Sequence, residues 1–339
     1  MKNILIYSSE YDPHVDIVLD RMSEVGIDAI RLNTQSIPEL AKINLDIEHM
    51  GMNSITLIDS NKSFSLDTIK SVWWRRPTNF SIDHQLSVTE KAFSEIELNA
   101  VMKSIFNSLD CYWISHPDNL RMANNKYEQL IRAKSIGFRI PGTIISNIKS
   151  NLVKFYEKHN KSVIFKVLSD PSLGSTYFVN EYIKNPSFQM PETVSVARTT
   201  LLDDEILSRY TDTQVLPVLF QEYVHKKYEI RATVIGDKIF SAKIDSQKHE
   251  EAAAHVDWRF YDVEMEPIEM PERINEMCIK LVKSYGLNYG ALDLIYSETD
   301  EYVFLENNPN GQFIFIEQQV PELKMIDQLI KCLNSGKST

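Results

Sequence analysis

The chain has 339 residues, 43% of them hydrophobic and 24% charged, and carries a net charge of −11. A chain of this length can bury two or three cores, its composition is ordinary for a globular protein, and its negative charge argues against nucleic acid as a partner. No apolar run approaches the ~20 residues of a membrane span, the apolar stretch at 4–7 is too short for a signal peptide, and Cys111, Cys278 and Cys332 are too scattered for a disulfide framework or zinc site, so a cytoplasmic protein that meets no membrane is expected.

In chain order, residues 2–7 predict a short apolar strand. A helix over 13–25 follows, with Val15, Val18, Leu19, Met22 and Val25 at helical spacing and Gly26 to close it, and then a strand over 28–32. This βαβ opening lacks a Gly-x-Gly-x-x-Gly, so nothing places a dinucleotide there. Residues 72–74 are the expected last strand of the unit, ending at Arg75-Arg76-Pro77. A helix over 87–108 is expected to pack its stripe of Phe93, Ile96, Leu98, Val101, Ile105 and Phe106 on that sheet. A boundary falls near 115–118. Beyond it come a helix over 124–136 capped by Gly137, a strand after Pro141-Gly142, a strand over 162–168, a small-residue loop over 169–176 and a strand over 177–182. Residues 185–215 carry little pattern beyond a short helix over 201–209. Strands return at 218–223, 228–235 and 238–245, the last two joined at the hairpin signal Gly236-Asp237. A helix over 272–285 stops at Gly286, and a closing helix over 321–333 turns Leu323, Ile326, Leu329, Ile330 and Leu333 inward.

The most informative stretch lies between those two helices, from Gly290 to Pro309. It reads as a β-hairpin: both arms are apolar and β-branched or aromatic, and the polar tip from Glu298 to Glu301 suits a four-residue loop. If the loop closes between Ser297 and Tyr302, Asp293 faces Glu306 and Ala291 faces Asn308. Opposed residues share a face, as do residues i and i+2, so two carboxylates and one amide oxygen project together within roughly 5–7 Å. Such hard oxygen ligands suit Mg²⁺, which keeps some waters and completes its shell with nucleotide phosphates. Solvated acids on an outer face are the alternative, weakened because both acids sit among core residues.

An Asp on one strand and Glu-x-Asn-Pro on the next resembles the metal end of ATP-grasp ligases. The motifs Val72-Trp73-Trp74-Arg75-Arg76-Pro77, Ser246-Gln247 and Asp257-Trp258-Arg259 narrow the resemblance to the ATP-grasp maturases that macrocyclise graspetides, the microviridin-type, ω-ester-containing peptides. It covers nearly the whole chain. It implies an α/β fold with α+β lobes: a Rossmann-like pre-ATP-grasp domain over 1–117, a central ATP-grasp lobe over 118–217 with a phosphate-binding loop and leader-peptide site, and a C-terminal ATP-grasp lobe over 218–339 with the metal site. The implied activity uses ATP and Mg²⁺ to activate Asp or Glu side chains of a ribosomally made precursor peptide, with a leader and an acidic, hydroxyl-rich core. The resulting acyl phosphates close onto Ser/Thr hydroxyls as esters or onto a Lys amine as an amide. A homodimer is compatible with the family.

The resemblance also implies roles. Lys166 sits inside an apolar strand, where a lysine needs an anionic partner or a solvated strand face. The family puts a phosphate-binding lysine there, with Gly174 and Ser175 in the loop that closes over the phosphates. Lys126 matches a second nucleotide lysine, although by itself it reads as a surface helical lysine. Glu222, Tyr223 and Val224 resemble the hinge that reads adenine, the Glu side chain taking the exocyclic amine, and Glu229 the ribose contact. Arg231 is the candidate for the acyl phosphate, against a cross-strand salt bridge. Arg259, with Asp257, Lys243, Ser246 and Gln247, surrounds the acceptor peptide by resemblance, although Asp257 and Arg259 could equally form a structural pair. Arg75 and Arg76 are substrate contacts or an interdomain clamp. The leader is expected on the central lobe within 172–215. Histidines show no metal-like spacing, and no cysteine constellation supports nucleophilic catalysis. Two other readings stay open: an amino-acid ligase acting on a small molecule or protein tail, and a non-catalytic, nucleotide-regulated peptide-binding protein.

Overall fold

The computed structural model describes residues 2–169, 189, 198–211 and 216–339. The N-terminal sheet is parallel, built from β1 (Asn3–Ser8), β2 (Ile30–Asn33), β6 (Ile69–Trp74) and β7 (Tyr112–Ile114) in the order β2-β1-β6-β7. Asp12 starts the first helix, Pro13–Glu24, by accepting from the His14 backbone N–H, and Gly26 at φ +70° turns the chain out of it. Between β2 and β6 lies a small antiparallel sheet that the sequence reading missed: β3 (Ala41–Asn44), β4 (Ser54–Leu57) and β5 (Lys62–Ser65). The last strand of the parallel sheet is β7, not 72–74.

The helix Val88–Ser108 begins with a complete capping box between Ser87 and Glu90. Its expected stripe is corrected: Met102, Ile105 and Phe106 pack on the sheet, whereas Phe93 and Ile96 are each 64% exposed. The N-terminal half of the helix runs past the sheet it was expected to cover.

The central sheet is antiparallel, with β8 (Thr143–Ser146), β9 (Val163–Lys166), β10 (Thr200–Leu201) and β11 (Val218–Glu222) in the order β10-β9-β11-β8. Leu152, Tyr156, Val163, Leu202, Tyr210 and Phe220 form its core. Gly174, Ser175, the predicted strand over 177–182 and most of the expected leader segment lie outside the described residues.

The C-terminal sheet contains β12 (Lys226–Ile235), β13 (Lys238–Ile244), β14 (Met265–Pro267), β15 (Tyr289–Ser297) and β16 (Tyr302–Asn308), in the order β14-β13-β12-β15-β16. Alternation along β12 sends Ile230, Ala232 and Val234 into a core with the helices Lys126–Ile136 and Glu272–Ser284. Leu130, Ala133 and Phe138 belong to this core, so a segment that precedes the central sheet in the chain packs on the C-terminal sheet instead. The opposite face carries Glu229, Arg231 and Thr233. Further along, that face joins a second core, in which Ile235, Tyr289 and Ala291 meet Ile4, Ile6 and Val15 of the N-terminal domain and Phe313, Leu329 and Leu333 near the C-terminus. The closing helix is Met325–Ser335, preceded by a shorter helix, Ile314–Gln319. Among the described residues no helix is long and apolar enough to cross a membrane.

Candidate active site

The polar face of β12, β15 and β16 floors a cleft whose other wall comes from β9 and β11 of the central sheet. The hairpin sets Asp293 opposite Glu306 and Ala291 opposite Asn308, the pairing expected from the sequence, but by a different route. Its tip closes between Ser297 and Glu301, where Ser297 N donates to Glu301 O at 3.0 Å and Asp300 takes φ +62°. The loop is therefore one residue shorter than predicted. A register shift between Asp293 and Leu294 leaves Leu305 as the extra residue and restores the pairing below it.

Asp293 accepts from Arg231 Nη1 at 2.7 Å on one oxygen and from Asn308 Nδ2 at 3.0 Å on the other. Glu306 lies 3.7 Å from Lys126 Nζ, which also donates to Val167 O at 3.0 Å. Asn125 caps the helix that begins at Lys126 and so fixes where that lysine enters the cleft. Lys166 ends β9 on the facing wall. Burial lowers the Lys166 pKa, an effect opposed chiefly by Glu306. Burial alone would raise Glu306, but Lys166, Lys126 and Arg259 together prevail and hold it below the usual carboxylate range. Asp293 goes the other way: burial pushes it up, and Arg231 offsets only part of that rise. Two carboxylates and an amide that can turn its oxygen inward fit a hard divalent cation whose remaining ligands come from phosphates. Asp293, Glu306 and Asn308 are the residues that would hold it.

The nucleotide end of the cleft is lined by Glu222, Tyr223, Val224 and Glu229, as expected, but two side chains are already engaged. Glu222 accepts from Gly142 N at 2.9 Å and from Arg139 Nη2 at 3.2 Å, and Arg139 Nε lies 3.2 Å from Glu301. These bonds tie the central sheet to the hairpin tip and leave each Glu222 oxygen one further lone pair on the cleft side for an adenine amine. Both Glu229 oxygens are likewise held, one by Lys226 Nζ and the other by Ser246 Oγ. Lys226 was missed from the sequence. In a regular strand, residues three apart point to opposite faces, but a register shift between Lys226 and Tyr228 brings Lys226 round beside Glu229.

Asp257 grips Arg259 with both oxygens, from Nε at 2.7 Å and Nη2 at 2.6 Å, and also accepts from the Thr199 backbone N–H of the central lobe at 3.2 Å. The hydrogen bond to Asp257 raises the Arg259 pKa, and the guanidinium's charge reaches Glu306 and Asp293. Of the proposed substrate residues, Lys243 lies on the other face of the sheet and Arg75 at the domain joint. Lys243 pairs with Ile230 and so shares the opposite face of the sheet, where it bonds Glu266 at 2.6 Å and lies 3.1 Å from Asp245. Arg75 is 1% exposed at the domain joint, where its Nη1 donates to Asn310 O at 2.7 Å, the arrangement of an interdomain clamp.

Comparison with known proteins bears on the fold as a whole. The MvdD pre-ATP grasp domain family matches residues 3–121. No curated protein matches the sequence. Among solved structures, the macrocyclase MdnC bound with precursor peptide MdnA, from Microcystis aeruginosa MRC, is similar with a TM-score of 0.81 and 26% identity, over 98% of this chain and 99% of that one. A Chryseobacterium gregarium RiPP-associated ATP-grasp ligase, in complex with ADP and a leader and core peptide, is similar with a TM-score of 0.84 and 27% identity, over 99% and 97% of the two chains. Macrocyclase MdnB from Microcystis aeruginosa MRC shares the fold at 22% identity and a TM-score of 0.72, over 98% and 99% of the two chains. The chain is an ATP-grasp ligase of the graspetide-macrocyclase type, with an MvdD-type pre-ATP-grasp domain.

Proposed function

We propose that the protein uses ATP and Mg²⁺ to macrocyclise a ribosomally made precursor peptide. A carboxylate oxygen of a core Asp or Glu attacks the γ-phosphorus; the new O–P bond forms as the bond from phosphorus to the bridging β–γ oxygen breaks and ADP leaves. A Ser or Thr hydroxyl, or a Lys amine, then attacks the acyl carbon, and phosphate departs with the proton balance closed through solvent. The carrying observation is the convergence of Asp293 and Glu306 with Lys126, Lys166 and Arg259 around one cleft between two sheets, with Arg231 and Asn308 bonded to Asp293.

In this reading Lys126 and Lys166 neutralise the phosphates. The backbone around Tyr223 and Val224 reads adenine, and Glu229, presented by Lys226 and Ser246, meets the ribose. Arg231 steadies the acyl phosphate and Arg259 the incoming group. The metal, when bound, would neutralise charge on the β- and γ-phosphates. A leader-bearing peptide is the partner we propose, modified in the cytoplasm where it is made. A binding protein without catalysis has no need of two carboxylates and an amide set against two lysines. Phosphorus NMR of a reaction with precursor, ATP and Mg²⁺ tests the chemistry. ADP and inorganic phosphate are expected; AMP and pyrophosphate would mean adenylation and defeat the proposal.

A further inference from the structure

Five buried polar atoms without a hydrogen-bond partner gather where the pre-ATP-grasp domain docks on the C-terminal sheet: Arg75 Nε and Nη2, His14 Nε2, Arg231 Nε and Thr233 Oγ1. A chain of contacts links their residues. Arg75 Nη1 and the Tyr289 hydroxyl both donate to Gly311 O, at 3.3 and 2.8 Å. Gly311 lies directly on Ala291, so close that a Cβ there would come within 2.8 Å of the alanine methyl. Ala291 pairs with Thr233, and Arg231 follows on the same face two residues away. The His14 ring packs on Phe313, which packs on Tyr289.

The joint is also cationic. Arg75, Arg76 and Arg231 all act electrostatically on Tyr289, and the acids beside them are Asp12 and Asp293. Asp12 Oδ2 lies 3.4 Å from Arg75 Nε without a hydrogen bond, and its other oxygen accepts from the His14 backbone N–H. Asp293 faces the metal side. Buried guanidinium N–H groups left unpaired are costly, and donors from two planar forks with a hydroxyl between them match a planar anion carrying two acceptor oxygens. Lys126 and Lys166, beside Glu306, are the cations we propose for the nucleotide phosphates, so the anion that fits here is a carboxylate.

We propose that this joint seats the acidic side chain awaiting activation, its carboxylate taken by Arg231 and Arg75 with the Thr233 hydroxyl as third donor. The proposal rests on the macrocyclase reading and deepens it. Arg231, whose side chain keeps 10% of its exposure and bonds the cleft residue Asp293, is the most accessible of the three, while Arg75 and Thr233 lie deeper. Arg231 joins the seat to Asp293, to which its Nη1 donates at 2.7 Å. The seat also assigns the pre-ATP-grasp domain a part in choosing substrate as well as in bracing the fold.

The test uses the full-length protein with ATP, Mg²⁺, hydroxylamine and N-acetylglutamate α-amide as a probe, since hydroxylamine converts an acyl phosphate into a measurable hydroxamate. Wild-type protein should form hydroxamate saturably. Thr233→Val changes shape little and removes one donor; it should raise the half-saturating probe concentration about tenfold with that for ATP unchanged. Arg75→Lys should do the same or more, with its thermal midpoint recorded because this residue also braces the joint. Unchanged probe saturation in Thr233→Val, with hydroxamate still forming, would overturn the seat alone. Wild-type protein that consumes ATP without ever yielding hydroxamate would overturn the seat and the acyl-phosphate reading together.

Discussion

Arg231 and Asp293 stand directly opposite each other on adjacent antiparallel strands, and the guanidinium Nη1 donates to the carboxylate across 2.7 Å. The same carboxylate takes Asn308 on its other oxygen. Burial pushes the Asp293 pKa up and the arginine offsets part of the rise, so this acid depends on a cation at its side. The pairing couples the metal face to the proposed substrate arginine. A cation held by Asp293 would compete with Arg231 for that carboxylate.

Glu306→Gln keeps the size of the side chain and removes its charge. ATP turnover should fall below detection while circular dichroism and the thermal midpoint stay close to wild type. A Glu306→Gln protein converting ATP to ADP at near-normal rate would remove Glu306 from the metal face.

Lys166→Ala removes a charge from the end of β9. ATP affinity measured by calorimetry should weaken by about 1.5–3 kcal/mol, the scale of a lost charge-assisted hydrogen bond. Unchanged binding would return Lys166 to the reading of a lysine on a solvated strand face.

Much of this site was legible in the sequence, and the exceptions have local causes. The pairing of Asp293 with Glu306 follows from alternation and a polar tip, yet the bulge at Leu305 that sustains it leaves no composition signal. Lys226 was hidden because a register shift turns it onto the face of Glu229. The bonds that Glu222 makes to Arg139 and Gly142 join neighbours in space that no spacing reveals. The strands β3, β4 and β5 are short and mix polar with apolar residues, so no period-2 pattern stands out. Phe93 and Ile96 lie on a well-capped amphipathic helix, and sequence periodicity cannot say where the sheet beneath it ends.

Burial and the nearby Arg75 lower the His14 pKa to about 4, against Asp12, which raises it. The folded protein therefore holds this histidine neutral at pH values where the unfolded chain has protonated it. The sign follows: above about pH 6.5 His14 costs nothing, and stability falls as pH drops from there toward about 4, by at most about 1.4 kcal/mol per pH unit. Urea midpoints of wild type and His14→Gln should differ in pH dependence over that window and run parallel above it. Parallel curves throughout would show that His14 titrates normally.

Asp257→Asn keeps the contact to the Thr199 backbone possible and weakens the grip on Arg259. Rate with saturating ATP should drop about tenfold or more, while ATP affinity changes little, because Arg259 acts on the acceptor side of the cleft. Equal loss in ATP affinity would place Arg259 with the nucleotide instead.

The most direct measurement is mass spectrometry of a precursor peptide, with leader and acidic, hydroxyl-rich core, after incubation with the protein, ATP and Mg²⁺. The peptide should lose the mass of one water for each ring closed, and Arg231→Ala should abolish the loss. A mass gain would show intermolecular ligation, and an unchanged peptide beside consumed ATP would show that this protein does not close rings.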